Sequence, residues 1–234
     1  MGTGRRVVRR AAGAGEPAVV LEAGRGNRAE SWQRVMPLLA PHVRVVAYDR
    51  AGLGGSAAAP GLVLIDRQID DLASVITGLA AGPCVLAGHS WGGILVQLLA
   101  FRRPDLVAGL VLVDPGHEEM ESGLPAPVRL GMRAWRAAFP DELRHDVPAT
   151  FAALQELRAA ATPFPDVPVV VLSAARGFPR GFRAHWTSLQ AGLAAAAAGG
   201  RHVVVGGTGH NIPGNRPDVV AEAIMAVVAQ VRGG

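Results

Sequence analysis

The stretch Gly88-His89-Ser90-Trp91-Gly92-Gly93 constrains this chain more than any other. Before it stands the short apolar run Cys84-Val85-Leu86-Ala87, flanked by Gly82-Pro83, which reads as a buried strand. After it stands Ile94-Leu95-Val96-Gln97-Leu98-Leu99-Ala100, which is longer and fits a buried helix. A strand that passes into a helix through G-x-S-x-G turns sharply at the serine, and the turn exposes the hydroxyl at the top of a sheet. Glycines flank the serine because side chains there would collide with the neighbouring strand and helix.

The same alternation continues on both sides. Residues 18–21, 43–48, 110–113, 169–172 and 202–205 are short apolar runs and read as strands. Residues 29–40, 64–80, 183–199 and 217–231 read as helices, the last opened by Pro217. In the second of these Ile65, Ile69, Leu72, Val75, Ile76 and Leu79 share one face. Arg5, Arg6, Arg9 and Arg10 surround Val7-Val8 and suit an exposed edge strand, where charge blocks aggregation. Strands separated by helices imply an α/β fold with a doubly wound, mainly parallel sheet. Residues 116–165 lose the alternation, and their apolar side chains stand among prolines and charges. No repeat or linker divides the chain, so residues 1–234 are expected to form one domain.

Composition narrows the classes. Of 234 residues 50% are hydrophobic and only 18% charged, which excludes a disordered chain. The net charge of +4 comes from arginine alone, because there is no lysine. No arginine cluster is interleaved with aromatics, so a nucleic-acid partner is not expected. Cys84 is the only cysteine; it rules out a disulfide framework and reads as a small core residue. Arg9-Arg10 and Glu16-Pro17 interrupt any signal-peptide core, and Arg6 stands where a myristoylation motif wants Ser or Thr. No apolar run approaches the roughly 20 residues of a membrane span. A cytoplasmic protein without membrane contact is the expectation.

With these residues the chain resembles the α/β-hydrolase fold family from about residue 5 to residue 231. The resemblance implies a small helical lid, about residues 116–165, inserted after strand six in the family's count. Apolar lid residues such as Met120, Leu124, Trp135 and Phe139 would then meet the substrate, or simply pack the lid onto the core. The family's loop after the strand at 18–21 usually reads His-Gly. Ala23-Gly24 stands there, which makes the Arg25 N–H one oxyanion donor and the Trp91 N–H the other. Glu22 is expected in a salt bridge with a nearby arginine rather than in catalysis. Asp49 to Ser56 matches the family's structural D-x-x-G-x-G-x-S loop. Its glycines do not complete G-x-G-x-x-G, since Ala57 takes the last place, so no dinucleotide site is expected.

A serine hydroxyl needs an adjacent base. Among seven histidines, His210 stands on a Gly-rich loop after the last strand, where the family carries its catalytic histidine. His89 should point away from the pocket, and His117 is a weaker candidate. The usual place for the acid, Ser173 to Arg180, contains no carboxylate. Asp114 stands at the family's alternative place one strand earlier, with Glu118 or Glu119 as fallbacks. The order Ser90, Asp114, His210 is the family's. The expected activity is a serine hydrolase that cleaves an ester or related acyl bond of a small, partly apolar molecule through an acyl-enzyme. Thioester, carbon–carbon or non-hydrolytic chemistry on the same triad stays open, and an acidic carrier protein meeting the basic surface would favour the thioesterase. Epoxide and haloalkane chemistry is disfavoured, because those relatives carry Asp where Ser90 stands. A ligand-binding protein with little turnover is the reading from another class. No cofactor motif and no metal cluster appears in the sequence.

Overall fold

Strands that are apolar on both faces are stable only between two layers of helices. The computed structural model has this layering; it describes residues 7–59, 64–79, 82–122, 124–137, 147–160, 164–177 and 180–233, with the backbone alone at 132, 135, 136, 180 and 181. Seven strands, β1 (Arg9–Ala12), β2 (Val19–Glu22), β3 (Val45–Tyr48), β4 (Cys84–His89), β5 (Val107–Val113), β6 (Val169–Ala174) and β7 (Arg201–Val205), lie in one sheet in the order β1-β3-β2-β4-β5-β6-β7. All neighbours run parallel except β1, which pairs antiparallel with β3 at the edge.

The helices are α1 (Met36–Leu39), α2 (Ile65–Thr77), α3 (Trp91–Arg102), α4 (Ala126–Ala137), α5 (Val147–Ala159), α6 (Arg180–Ala195), α7 (Ile212–Asn215) and α8 (Pro217–Gly233). On one face of the sheet Ile69, Leu72 and Ile76 of α2 meet Leu95 and Leu98 of α3 and Leu193 of α6. On the other Trp32, Leu39, Ile224 and Val228 pack against Val19, Leu21 and Val111. The face expected for the second helix is the buried one: Ile65, Ile69, Leu72, Val75, Ile76 and Leu79 are all inside.

Two expectations are corrected. Residues 29–40 are not one helix: a 3-10 turn over Ala29–Trp32 gives way to α1, which starts afresh with Pro37 in its first turn. Proline has no N–H to give to the preceding turn, so a helix running through it would break there. The edge strand starts at Arg9, after Val7-Val8, with the exposed Arg9 and Arg10 on it; Arg5 and Arg6 lie outside the described residues. The insertion carries α4 and α5 between β5 and β6, so the family's strand six is the fifth strand of this chain.

Register sets up the site. Glu22 lies level with Gly88, and His89 with Val113. The residues just beyond these pairs therefore meet at the carboxyl ends of β2, β4 and β5, where parallel sheets of this kind place their ligand crevice.

Candidate active site

Ser90 sits at φ 55°, ψ −115°, between β4 and α3. For a residue with a Cβ such a conformation costs on the order of 1–3 kcal/mol and needs support. Its N–H donates to the Val113 carbonyl at 3.0 Å, and its carbonyl accepts the N–H groups of Gly93 and Gly116, each at 3.0 Å. The glycines leave no room for side chains: a Cβ on Gly88 would lie 2.4 Å from the Gly92 carbonyl oxygen, and one on Gly92 2.3 Å from that of Glu22.

Asp114 follows β5 and is fully buried, at φ 44°, the other non-glycine residue described with positive φ. Its Oδ1 accepts the Ala174 N–H at 3.1 Å and the Trp186 Nε1–H at 2.8 Å. Its Oδ2 accepts from His210 Nδ1 at 2.6 Å. With Nδ1–H committed to the carboxylate, a neutral His210 carries its lone pair on Nε2. The His210 side chain is 45% exposed. The carboxylate that meets His210 is thus Asp114. Glu118 instead binds Arg158 of α5 and lies 3.5 Å from His117 Nδ1, while Glu119 is exposed.

His89 does not simply turn away. Its Nε2–H donates to the His210 carbonyl at 2.8 Å, and the two rings lie 4.8 Å apart at 41°. Burial, aided by the neighbouring His210, pushes the His89 pKa down to about 4. In the unfolded chain the ring has its ordinary pKa, so between about 6.5 and 4 the unfolded state binds the extra proton. Stability is therefore complete above that window and falls as pH drops through it, by up to roughly 3 kcal/mol. Urea unfolding at pH 7 and pH 4.5 checks this. His117, whose pKa burial also lowers, adds to the slope, so the informative comparison is with His89→Gln, which should lose less stability over the same interval. Equal losses in the two proteins would refute the assignment.

A second buried group lies on the β2 side. Glu22 is paired with Arg50 at 2.5 Å, as expected, and accepts the Tyr48 hydroxyl. Burial pushes the Glu22 carboxyl up against the opposing pull of Arg50. The Asp49–Ser56 loop is structural: Asp49 Oδ1 accepts the Ala29 N–H at 2.8 Å, and Ser56 Oγ donates to the Asp49 carbonyl at 2.7 Å. Arg25 and Trp91, the expected oxyanion pair, touch through their side chains, with the guanidinium 3.6 Å from the indole centroid. Trp91 Nε1 also donates to Gln68 of α2 at 3.0 Å. Cys84 is buried at the start of β4, and burial raises its thiol to about 11, a core residue as expected.

Of the four expected substrate contacts, Leu124 is buried against Phe182 and Trp186 of α6, with Met120 packed on the same cluster. Phe139 and the Trp135 side chain lie outside the described residues. Three groups escaped the sequence reading. Trp186 and Arg50 bind their partners across 72 and up to 28 positions, and His89 reaches His210 across 121. No local pattern marks such contacts; the nearest signal for Arg50 was the arginine expected beside Glu22. Among the described residues no three side chains form a metal cluster, and no helix is long and apolar enough to cross a membrane.

Residues 19–223 match the alpha/beta hydrolase family, and the chain belongs to it. The uncharacterized protein YqjL of Bacillus subtilis is 26% identical over 212 residues, 89% of this chain and 82% of YqjL. Lipase LipV of Mycobacterium tuberculosis is 42% identical over 85 residues, only 36% of this chain and 31% of LipV. Among solved structures, a thermophilic esterase from Thermogutta terrifontis superposes with a TM-score of 0.71 at 23% identity, covering 97% of this chain and 94% of that one. The chain is an enzyme of the hydrolase class by family, with the fold of that esterase.

Proposed function

We propose that the protein is a serine hydrolase that cleaves an ester or related acyl bond of a small, partly apolar substrate. The observation that carries this reading is the hydrogen bond from His210 Nδ1 to the buried Asp114, formed beside a serine held at positive φ on a strand–helix turn. In the proposed reaction the Ser90 hydroxyl attacks the acyl carbon and His210 Nε2 takes its proton. Asp114 holds the ring and stabilises its charged form. The Trp91 and Arg25 N–H groups receive the oxyanion. Collapse of the tetrahedral intermediate expels the alcohol, which leaves with the proton from His210. Water then repeats the sequence on the acyl-enzyme and frees Ser90. Residues 116–165, in which Glu118 and Arg158 pair with each other and Leu124 packs on Phe182 and Trp186 of α6, act as a lid over this site. LipV and the Thermogutta esterase, similar in sequence and in fold, bear names of the same class.

A fluorophosphonate probe tests this directly, because it reacts quickly only with an activated serine beside an oxyanion hole. Stoichiometric labelling, with the adduct mapped to Ser90, is the expected result. An unlabelled protein would return it to the class of ligand binders. Hydrolysis of p-nitrophenyl esters and of thioesters of graded chain length then ranks the acyl classes.

A further inference from the structure

A planar trans peptide fixes its two polar groups together: whatever holds the carbonyl also sets the direction of the N–H on its opposite edge. The peptide joining Gly24 to Arg25 is held in this way. Its carbonyl accepts Arg50 Nη2 at 2.5 Å and the Asn27 N–H at 3.1 Å, and its N–H is that of Arg25. The preceding carbonyl, Ala23, accepts Arg50 Nη1 at 2.6 Å. The same Nη1 meets Glu22 Oε1 at 2.5 Å, and the other Glu22 oxygen accepts Tyr48. Arg50 is 7% exposed and Glu22 1%, so the whole assembly is out of water. The loop it holds lies against the elbow, since a Cβ on Gly24 would stand 3.5 Å from Ser90 Cβ.

We propose that Arg50 is a positioning residue of the oxyanion hole: its guanidinium grips the Ala23 and Gly24 carbonyls and thereby aims and polarises the Arg25 N–H toward the acyl oxygen of a substrate on Ser90. This inference rests on the reading of Ser90 as nucleophile and of the Arg25 N–H as donor. Only arginine suits the place. Its rigid fork serves two carbonyls and a carboxylate at once, whereas an ammonium is a single point of charge. A charged donor on the Gly24 carbonyl draws electron density along the peptide and makes its N–H a stronger donor. Stability does not account for the arrangement, because a buried ion pair is commonly no more stabilising than apolar residues of similar volume. Glu22 offsets the cation, and Tyr48 satisfies its second oxygen.

Two variants separate positioning from structure. Arg50→Lys keeps the charge beside Glu22 and loses the fork. Glu22→Gln/Arg50→Met removes both charges and leaves no buried carboxylate unpaired. Ester kinetics, the rate of fluorophosphonate labelling and inhibition by a trifluoromethyl ketone are compared with wild type, with the thermal midpoint recorded. For both variants kcat should fall by about 10²–10³-fold, the loss typical of one oxyanion donor, with KM little changed. Affinity for the ketone, which binds as a tetrahedral oxyanion, should fall by the same factor, and the pH profile should keep its shape because His210 is untouched. A merely structural Arg50 would lower the thermal midpoint and leave kcat of the folded protein near wild type. Folded Arg50→Lys that keeps kcat and the labelling rate within a few-fold of wild type overturns this inference alone. Wild type that no fluorophosphonate labels overturns the reading beneath it.

Discussion

Replacing Ser90 by glycine should abolish turnover and make the protein more stable. If the three proposed catalytic residues act as one unit, loss of the nucleophile costs on the order of 10⁵–10⁶ in kcat. The stability gain has a separate origin. At φ 55° and ψ −115° a Cβ is strained, and glycine is at ease there. Ser90→Ala removes the hydroxyl and keeps the Cβ, so it should be as inactive as Ser90→Gly without the full gain. A difference of about 1 kcal/mol between the two, read from urea unfolding, isolates the cost of holding a side chain at the elbow. Residual labelling of Ser90→Ala by the fluorophosphonate would overturn the nucleophile. Ser90→Gly proving less stable than Ser90→Ala would overturn the strain.

Asp114→Asn should lower kcat by up to about 10⁴-fold in a protein that still folds. The asparagine oxygen can keep the bonds that Oδ1 accepts from Ala174 and Trp186. Its amide group then faces His210 Nδ1, donor against donor. The ring must shift its proton to Nε2, which then cannot take the Ser90 proton in the proposed reaction. Glu118→Gln and Glu119→Gln serve as controls, because Glu118 is bound to Arg158 and Glu119 faces solvent. Both should keep near-normal kcat. Near-normal kcat in Asp114→Asn, together with a collapse in either control, would move the acid into the insertion.

Elements governed by local periodicity were legible in the sequence. The apolar face of α2 and the strand–serine–helix unit at 84–102 each contain their own signal, because burial repeats at 3.6 residues in one and is continuous in the other. The run at 29–40 misled because its apolar spacing looks helical while Pro37 divides it. Ser90 carries its own local motif, whereas His210 and Asp114 were legible only through the resemblance to the family; all three follow strands of the parallel part of the sheet, whose loops open on one edge. Distant partners were not readable. Nothing near Asp114 announces Trp186, and the G-x-S-x-G pattern does not say that His89 would reach the backbone of His210. Such contacts depend on how helices and loops settle on the sheet, a property of the whole packing.

The carboxylate that meets His210 stands on the strand next to the elbow, and this bears on how such an enzyme can diverge. Ser90 and Asp114 leave adjacent strands that are tied together, Ser90 N–H to Val113 and Gly116 N–H to Ser90. Only His210 is brought from elsewhere. The turn after β6, from Ala175 onward, carries no carboxylate. It holds the loop of His210 instead, since the Arg176 N–H donates to the Thr208 carbonyl at 3.0 Å and Gly177 lies against Gly209, so a change of length there would move the imidazole while the pair of strands that carries Ser90 and Asp114 stays in place.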